Sequence, residues 1–95
     1  MASAMVKWQL KKTSARLRVL RDELRLIDEQ RMYVVDDADD LELRAVVSDS
    51  PLSRSEAHAA GGHAAAYDKA RQHIIDETGR LEAKQDKLLD RLSTR

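Results

Sequence analysis

Three histidines are the side chains of this chain best suited to proton transfer or metal ligation: His58, His63 and His73. None of their spacings is the i,i+4 interval that sets two ligands on one helical face. The chain has no cysteine, which excludes disulfides, thiolate metal sites and a cysteine nucleophile. Asp36, Asp37, Asp39, Asp40 and Glu42 form an acidic cluster of the hard oxygen donors that Mg²⁺ or Ca²⁺ prefers. The segment lacks the glycine turn of a calcium loop, and on a helix its carboxylates splay over more than one face. It reads instead as a solvated acidic collar or a docking patch for a basic partner. No Ser–His–Asp arrangement and no glycine-rich phosphate loop can be placed. No enzymatic activity, metal or cofactor is therefore expected.

The elements that carry these residues are set by where helix breakers fall. Pro51, Gly61, Gly62 and Gly79 are the only prolines and glycines, so nothing interrupts the chain from Trp8 to Val47. A stretch this long without a breaker points to a coiled coil. Alternate steps of three and four give Leu10, Thr13, Leu17, Leu20, Leu24, Ile27, Arg31, Val34, Ala38, Leu41, Ala45 and Ser48. The second half gives Ser53, Ala57, Ala60, Ala64, Tyr67, Arg71, Ile74, Thr78, Leu81, Gln85, Leu88 and Leu92. Both runs form a sustained apolar seam. Between them, Ser48-Asp49-Ser50-Pro51-Leu52 carries turn residues, and Pro51 pushes Ser50 out of helical geometry. Ser53-x-x-Glu56 then has the form of a capping box. The expected fold is all-α: a long antiparallel two-helix coiled-coil hairpin. A flexible stretch covers residues 1–7 and a single hairpin covers 8–95. Helix 1 runs over about 8–47, the turn over 48–53 and helix 2 over about 54–93.

Folding the chain at the turn sets Leu20 opposite Leu81, Ile27 opposite Ile74, Val34 opposite Tyr67 and Leu41 opposite Ala60. It also sets Arg31 opposite Arg71, the one charged layer in each seam. Two like charges repel, and Asp28 and Asp68 offer the remedy: Arg71 reaches Asp28 and Arg31 reaches Asp68. The four residues read either as a register-setting polar layer or as two arginines extending past their own methylenes to water.

The seam is uneven. Leucine and isoleucine fill the end away from the turn, and Ala38, Ala45, Ala57, Ala60 and Ala64 fill the end near it. Gly61 and Gly62 each cost a helix about 1 kcal/mol relative to alanine, so the turn half is expected to be softer. The pair marks either a kink or a delayed start of helix 2. Helix 1 also carries apolar residues off the seam: Val19, Leu26, Met32, Tyr33, Leu43, Val46 and Val47. Two seams alone make a marginal scaffold, so this stripe reads as a docking face, most simply for a second copy in a four-helix bundle. The bland alternative is scattered surface apolars.

Seventeen basic and seventeen acidic residues leave no net pull toward nucleic acid or membrane. The charges are nevertheless polarised: Lys7, Lys11, Lys12, Arg16, Arg18, Arg21 and Arg25 face only Asp22 and Glu23, and Asp28 to Leu52 is acidic. The basic end reads as a phosphate- or acid-binding face, or as a solvated face offset by Glu82, Asp86 and Asp90. No apolar run is long enough to span a bilayer, and Met1 to Val6 lacks the apolar stretch of a signal peptide, so cytoplasm is the expected location.

RLRVLRDELRLID at 16–28, ADDLELRAVVSDSPL at 38–52 and LEAKQDKLLDRL at 81–92 together resemble short conserved actinobacterial proteins of helical-hairpin type. That resemblance covers most of the chain and implies no activity. The shape is also similar to the coiled-coil hairpin factors that enter the secondary channel of RNA polymerase, although only Asp49 lies at the turn and their globular domain has no counterpart. The expected function is a non-enzymatic protein–protein interaction or scaffolding module, a homodimer with a further protein partner. The alternative is a transcription-associated factor that binds RNA polymerase or nucleic acid through the hairpin.

Overall fold

The computed structural model describes residues 2–93, which form two helices, α1 (Ala2–Ser48) and α2 (Pro51–Ser93), paired as an antiparallel hairpin. Residue 1 of the expected flexible stretch and residues 94–95 of the expected hairpin lie outside the described residues. α1 starts at Ala2, not near Trp8. The seam pattern accounts for this: the same steps taken backward from Leu10 reach Val6 and Ser3, and Val6 is buried. A helical turn that buries an apolar side chain gains what an isolated end would lose to fraying.

α2 starts at Pro51, three residues before the expected position. Its cap is Ser50, whose Oγ accepts the Ser53 N–H at 3.1 Å, and its first helical hydrogen bond runs from the Arg54 N–H to the Ser50 carbonyl at 3.1 Å. Pro51 occupies the first helical position, where its missing N–H costs nothing and its fixed φ suits the helix. Ser53 is thus the third residue of the helix and not its cap, and this corrects the Ser53–Glu56 capping box. Three hydroxyls close the link. Ser50 and Ser53 Oγ are 2.8 Å apart, Ser53 and Ser48 Oγ 2.7 Å, and Ser48 Oγ lies 2.7 Å from the Arg44 carbonyl. With one proton per hydroxyl, the chain that serves every contact donates from Ser50 to Ser53 to Ser48 to Arg44.

Only Asp49 and Ser50 separate the helices. Asp49 has φ 46°, the left-handed conformation that ends many helices, and its N–H donates to the Ala45 carbonyl at 3.0 Å. Aspartate tolerates this region better than most residues with a Cβ. Arg54 holds it there, donating from Nη1 to Asp49 Oδ1 at 2.7 Å and to the Asp49 carbonyl at 3.2 Å.

α2 passes through Gly61, Gly62 and Gly79 without a break, so the glycine pair does not delay its start. Every seam position expected from the sequence is buried or half-buried except Ser48, which is exposed. The chain divides into two compact units: a terminal unit, up to Leu24 and from His73 on, and a turn unit, Arg25–Gln72. The terminal unit buries Val6, Thr13, Leu17, Leu20, Ile74 and Leu88. The turn unit buries Ala60 alone among the described residues. No buried side-chain polar atom among the described residues lacks a hydrogen-bond partner.

Candidate docking surface

Small residues in the turn unit leave room between its helices. A groove of about 560 Å³ is walled by Val34, Leu41, Ala59 and Ala60, with Tyr33 and His63 at its rim. Another of about 450 Å³ lies beside Ala38, Ala57, Gly61 and Gly62. Both are open clefts with few convergent polar groups, unlike the enclosed pockets in which substrates are bound and dried. His58, His63 and His73 are all exposed, and no group of three or more metal-ligating side chains comes together among the described residues.

The polar layer is built as its residue types require. Arg31 Nε donates to Asp68, and Arg71 Nε donates to Asp28 at 2.6 Å. Each arginine therefore crosses to the carboxylate of the other helix, and the two like charges in the seam are both neutralised. The pairs are 40–55% exposed, so water screens them and each contributes at most about 1 kcal/mol. A second layer, in the terminal unit, was not foreseen. Arg16 donates through Nε to Glu77 Oε2 at 2.8 Å and through Nη2 to Oε1 at 3.2 Å, a bidentate pair. The hydrogen bond from Arg16 is the main cause that lowers the Glu77 carboxyl below its usual range, and the Glu77 hydrogen bond, then its charge, raises Arg16. Gln85 also crosses, donating to Ser14 Oγ at 3.0 Å. Neither pair is given by the register read from the sequence, which sets Arg16 opposite Gln85 or Asp86 and Ser14 opposite Lys87 or Leu88.

The off-seam stripe lies fully outside. Val19, Leu26, Met32, Tyr33, Leu43, Val46 and Val47 are all exposed, from 46% at Val19 to 79% at Val47. If Leu17 and Leu24 take position a of the heptad and Leu20 and Ile27 position d, these seven fall only at b, c and f, the contiguous arc opposite the seam. The same arc holds exposed Met5 and Trp8, and Lys12 lies with Nζ 5.1 Å from the Trp8 ring centroid. Two further backward heptads from Val19 would have found Met5. Asp36, Asp37, Asp39, Asp40 and Glu42 are exposed too, and no ion pair reaches them among the described residues. Of these, Asp36, Asp39 and Asp40 lie on the apolar arc itself, so the acidic patch and the apolar stripe are one surface in the turn unit.

No helix of the described residues is long and apolar enough to cross a membrane. No protein-family model, curated protein or solved structure matches the chain.

Proposed function

We propose that this protein is a non-enzymatic interaction module that docks a helical partner on the outward face of α1. The observation that carries this reading is the confinement of the exposed apolar side chains of α1 in the turn unit to one arc. Five of them, Met32, Tyr33, Leu43, Val46 and Val47, are more than 60% exposed on positions b, c and f. Side chains scattered by chance would populate e and g as well. Large apolar groups held in water along one helical arc are the form that helix-on-helix recognition takes. On this reading the Arg31–Asp68 and Arg71–Asp28 pairs set the register of the seam, and through it the spacing of the arc, more than they add to stability.

A photo-crosslinking residue placed in cells at Tyr33 or Val46, with Lys84 on α2 as control, tests the reading. Covalent adducts are expected from 33 and 46 and not from 84. Equal adduct formation from all three positions, or none from 33 and 46, would overturn it.

A further inference from the structure

The arc changes sign along α1. In the terminal unit, positions b, c and f carry Lys11, Lys12 and Arg18, interleaved with exposed Trp8 and Val19. In the turn unit the same positions carry Glu29, Asp36, Asp39 and Asp40, interleaved with Met32, Tyr33, Leu43, Val46 and Val47. The opposite signs that break this division, Asp22 and Arg25, both already have a partner within the chain. None of Lys11, Arg18, Glu29, Asp36, Asp39 and Asp40 takes part in an ion pair among the described residues.

The partner that would satisfy the turn unit is therefore narrowly specified. It must be a helix face that is basic, carries apolar residues at the same heptad positions, and leaves its cations unengaged. The terminal unit of this same chain meets the first two, and its Lys11 and Arg18 meet the third, while Lys12 lies over the Trp8 ring. We infer that the occupant of the docking surface is a second copy of this chain running in the opposite direction, so that the turn-unit arc of each protomer packs on the terminal-unit arc of the other. This rests on the docking reading and names its partner. Such a contact is isologous: each surface contributes both halves, and the assembly closes at two copies. The product is a row of four helices, α2–α1 of one protomer against α1–α2 of the other, in which the two α1 arcs form a second seam. Parallel association is disfavoured by the same distribution, because it would set cations against cations and carboxylates against carboxylates.

Charge exchange tests this without touching the hairpin seam, since every position involved is exposed. One variant carries Lys11→Glu, Lys12→Glu and Arg18→Glu; the other carries Asp36→Lys, Asp39→Lys and Asp40→Lys. Sedimentation equilibrium of the unaltered chain is expected to give two copies, with an association that weakens as NaCl rises from 50 to 500 mM. Each variant alone is expected to associate at least tenfold more weakly, because like charges then face each other across the contact. An equimolar mixture of the two is expected to regain the pair, since acid and base again oppose at both ends. Circular dichroism identifies any variant that has lost its helices; for such a variant the salt dependence of the unaltered chain decides the question. A single-copy mass at millimolar concentration overturns the inference, as does a pair indifferent to reversal and to salt, or a mixture that fails to regain it. A single-copy mass with crosslinks from Tyr33 to a different protein sinks this inference and leaves the docking reading standing.

Discussion

The terminal unit and the turn unit are built from the same two helices by the same seam pattern, yet they differ in what the seam encloses. The terminal unit closes over leucine, isoleucine and valine, with Leu17 and Leu20 each only 1% exposed. The turn unit closes over alanine, and Ala60 is its one buried apolar residue among those described. At about 25 cal/mol per Å² of apolar surface removed from water, alanine layers gain a fraction of what leucine layers gain. The apolar area that the turn unit does possess is displayed on its outside. One unit thus uses its large apolar side chains to hold itself together, and the other keeps them available. The lesson is that a regular heptad does not imply uniform stability; the size of the residues at a and d decides where the strength lies.

Truncation at the seam should break this contrast most visibly. Leu17→Ala is expected to destabilise by about 2–5 kcal/mol, the usual cost of a buried leucine with its cavity. Leu41→Ala, at a half-buried layer beside an existing groove, is expected to cost less than about 2 kcal/mol. Urea denaturation of the two variants gives the comparison, and equal losses would show the units to be equally packed. Gly61→Ala and Gly62→Ala act in the other direction. A Cβ built at either position meets nothing within 4 Å, so each substitution is expected to stabilise by about 1 kcal/mol from helix propensity alone. Hydrogen exchange should register the gain as slower opening of amides in the turn unit, with those around Leu17 and Leu20 little changed. The smallest effect belongs to the Arg16–Glu77 pair. Because the folded state depresses the Glu77 carboxyl, its contribution is present above the ordinary carboxylate range and fades as pH falls through the lowered folded value. The difference in thermal stability between the unaltered chain and Glu77→Gln is expected to be small at pH 7 and to vanish near pH 2. A difference that persists there would assign the effect to packing instead of charge.

Much of this was legible in the sequence because coiled coils are governed by one repeating rule. The steps of three and four put every seam position on the buried or half-buried face except Ser48, which is exposed at the last residue of α1. The crossed pairs of Arg31 with Asp68 and Arg71 with Asp28 followed from the register. The seven off-seam apolars could be named because the pattern that assigns the seam also assigns what lies outside it. Helix ends were less legible. Ser53 and Glu56 satisfy a capping rule, but Ser50 satisfies it too, and Pro51 resolves the competition by suiting only the first helical position. The start of α1 was missed because the seam was followed only from Leu10 onward, although Val6 belongs to it. Arg16 with Glu77 lies beside the seam, where side-chain reach and not heptad position selects the partner.

The two-residue link of Asp49 and Ser50 has a consequence for how the chain finds its fold. The strongest layers join segments about sixty residues apart, and closing a loop of that length from a disordered chain costs roughly 3–4 kcal/mol in entropy. Helices that already pair beside Asp49 make most of that closure in advance, at the cost of fixing only a tight reversal. The weakly packed turn unit is therefore the natural starting point of zippering, and rates should respond to it more than equilibrium does. A region that adds little to the depth of the native well can still set how quickly the chain reaches it.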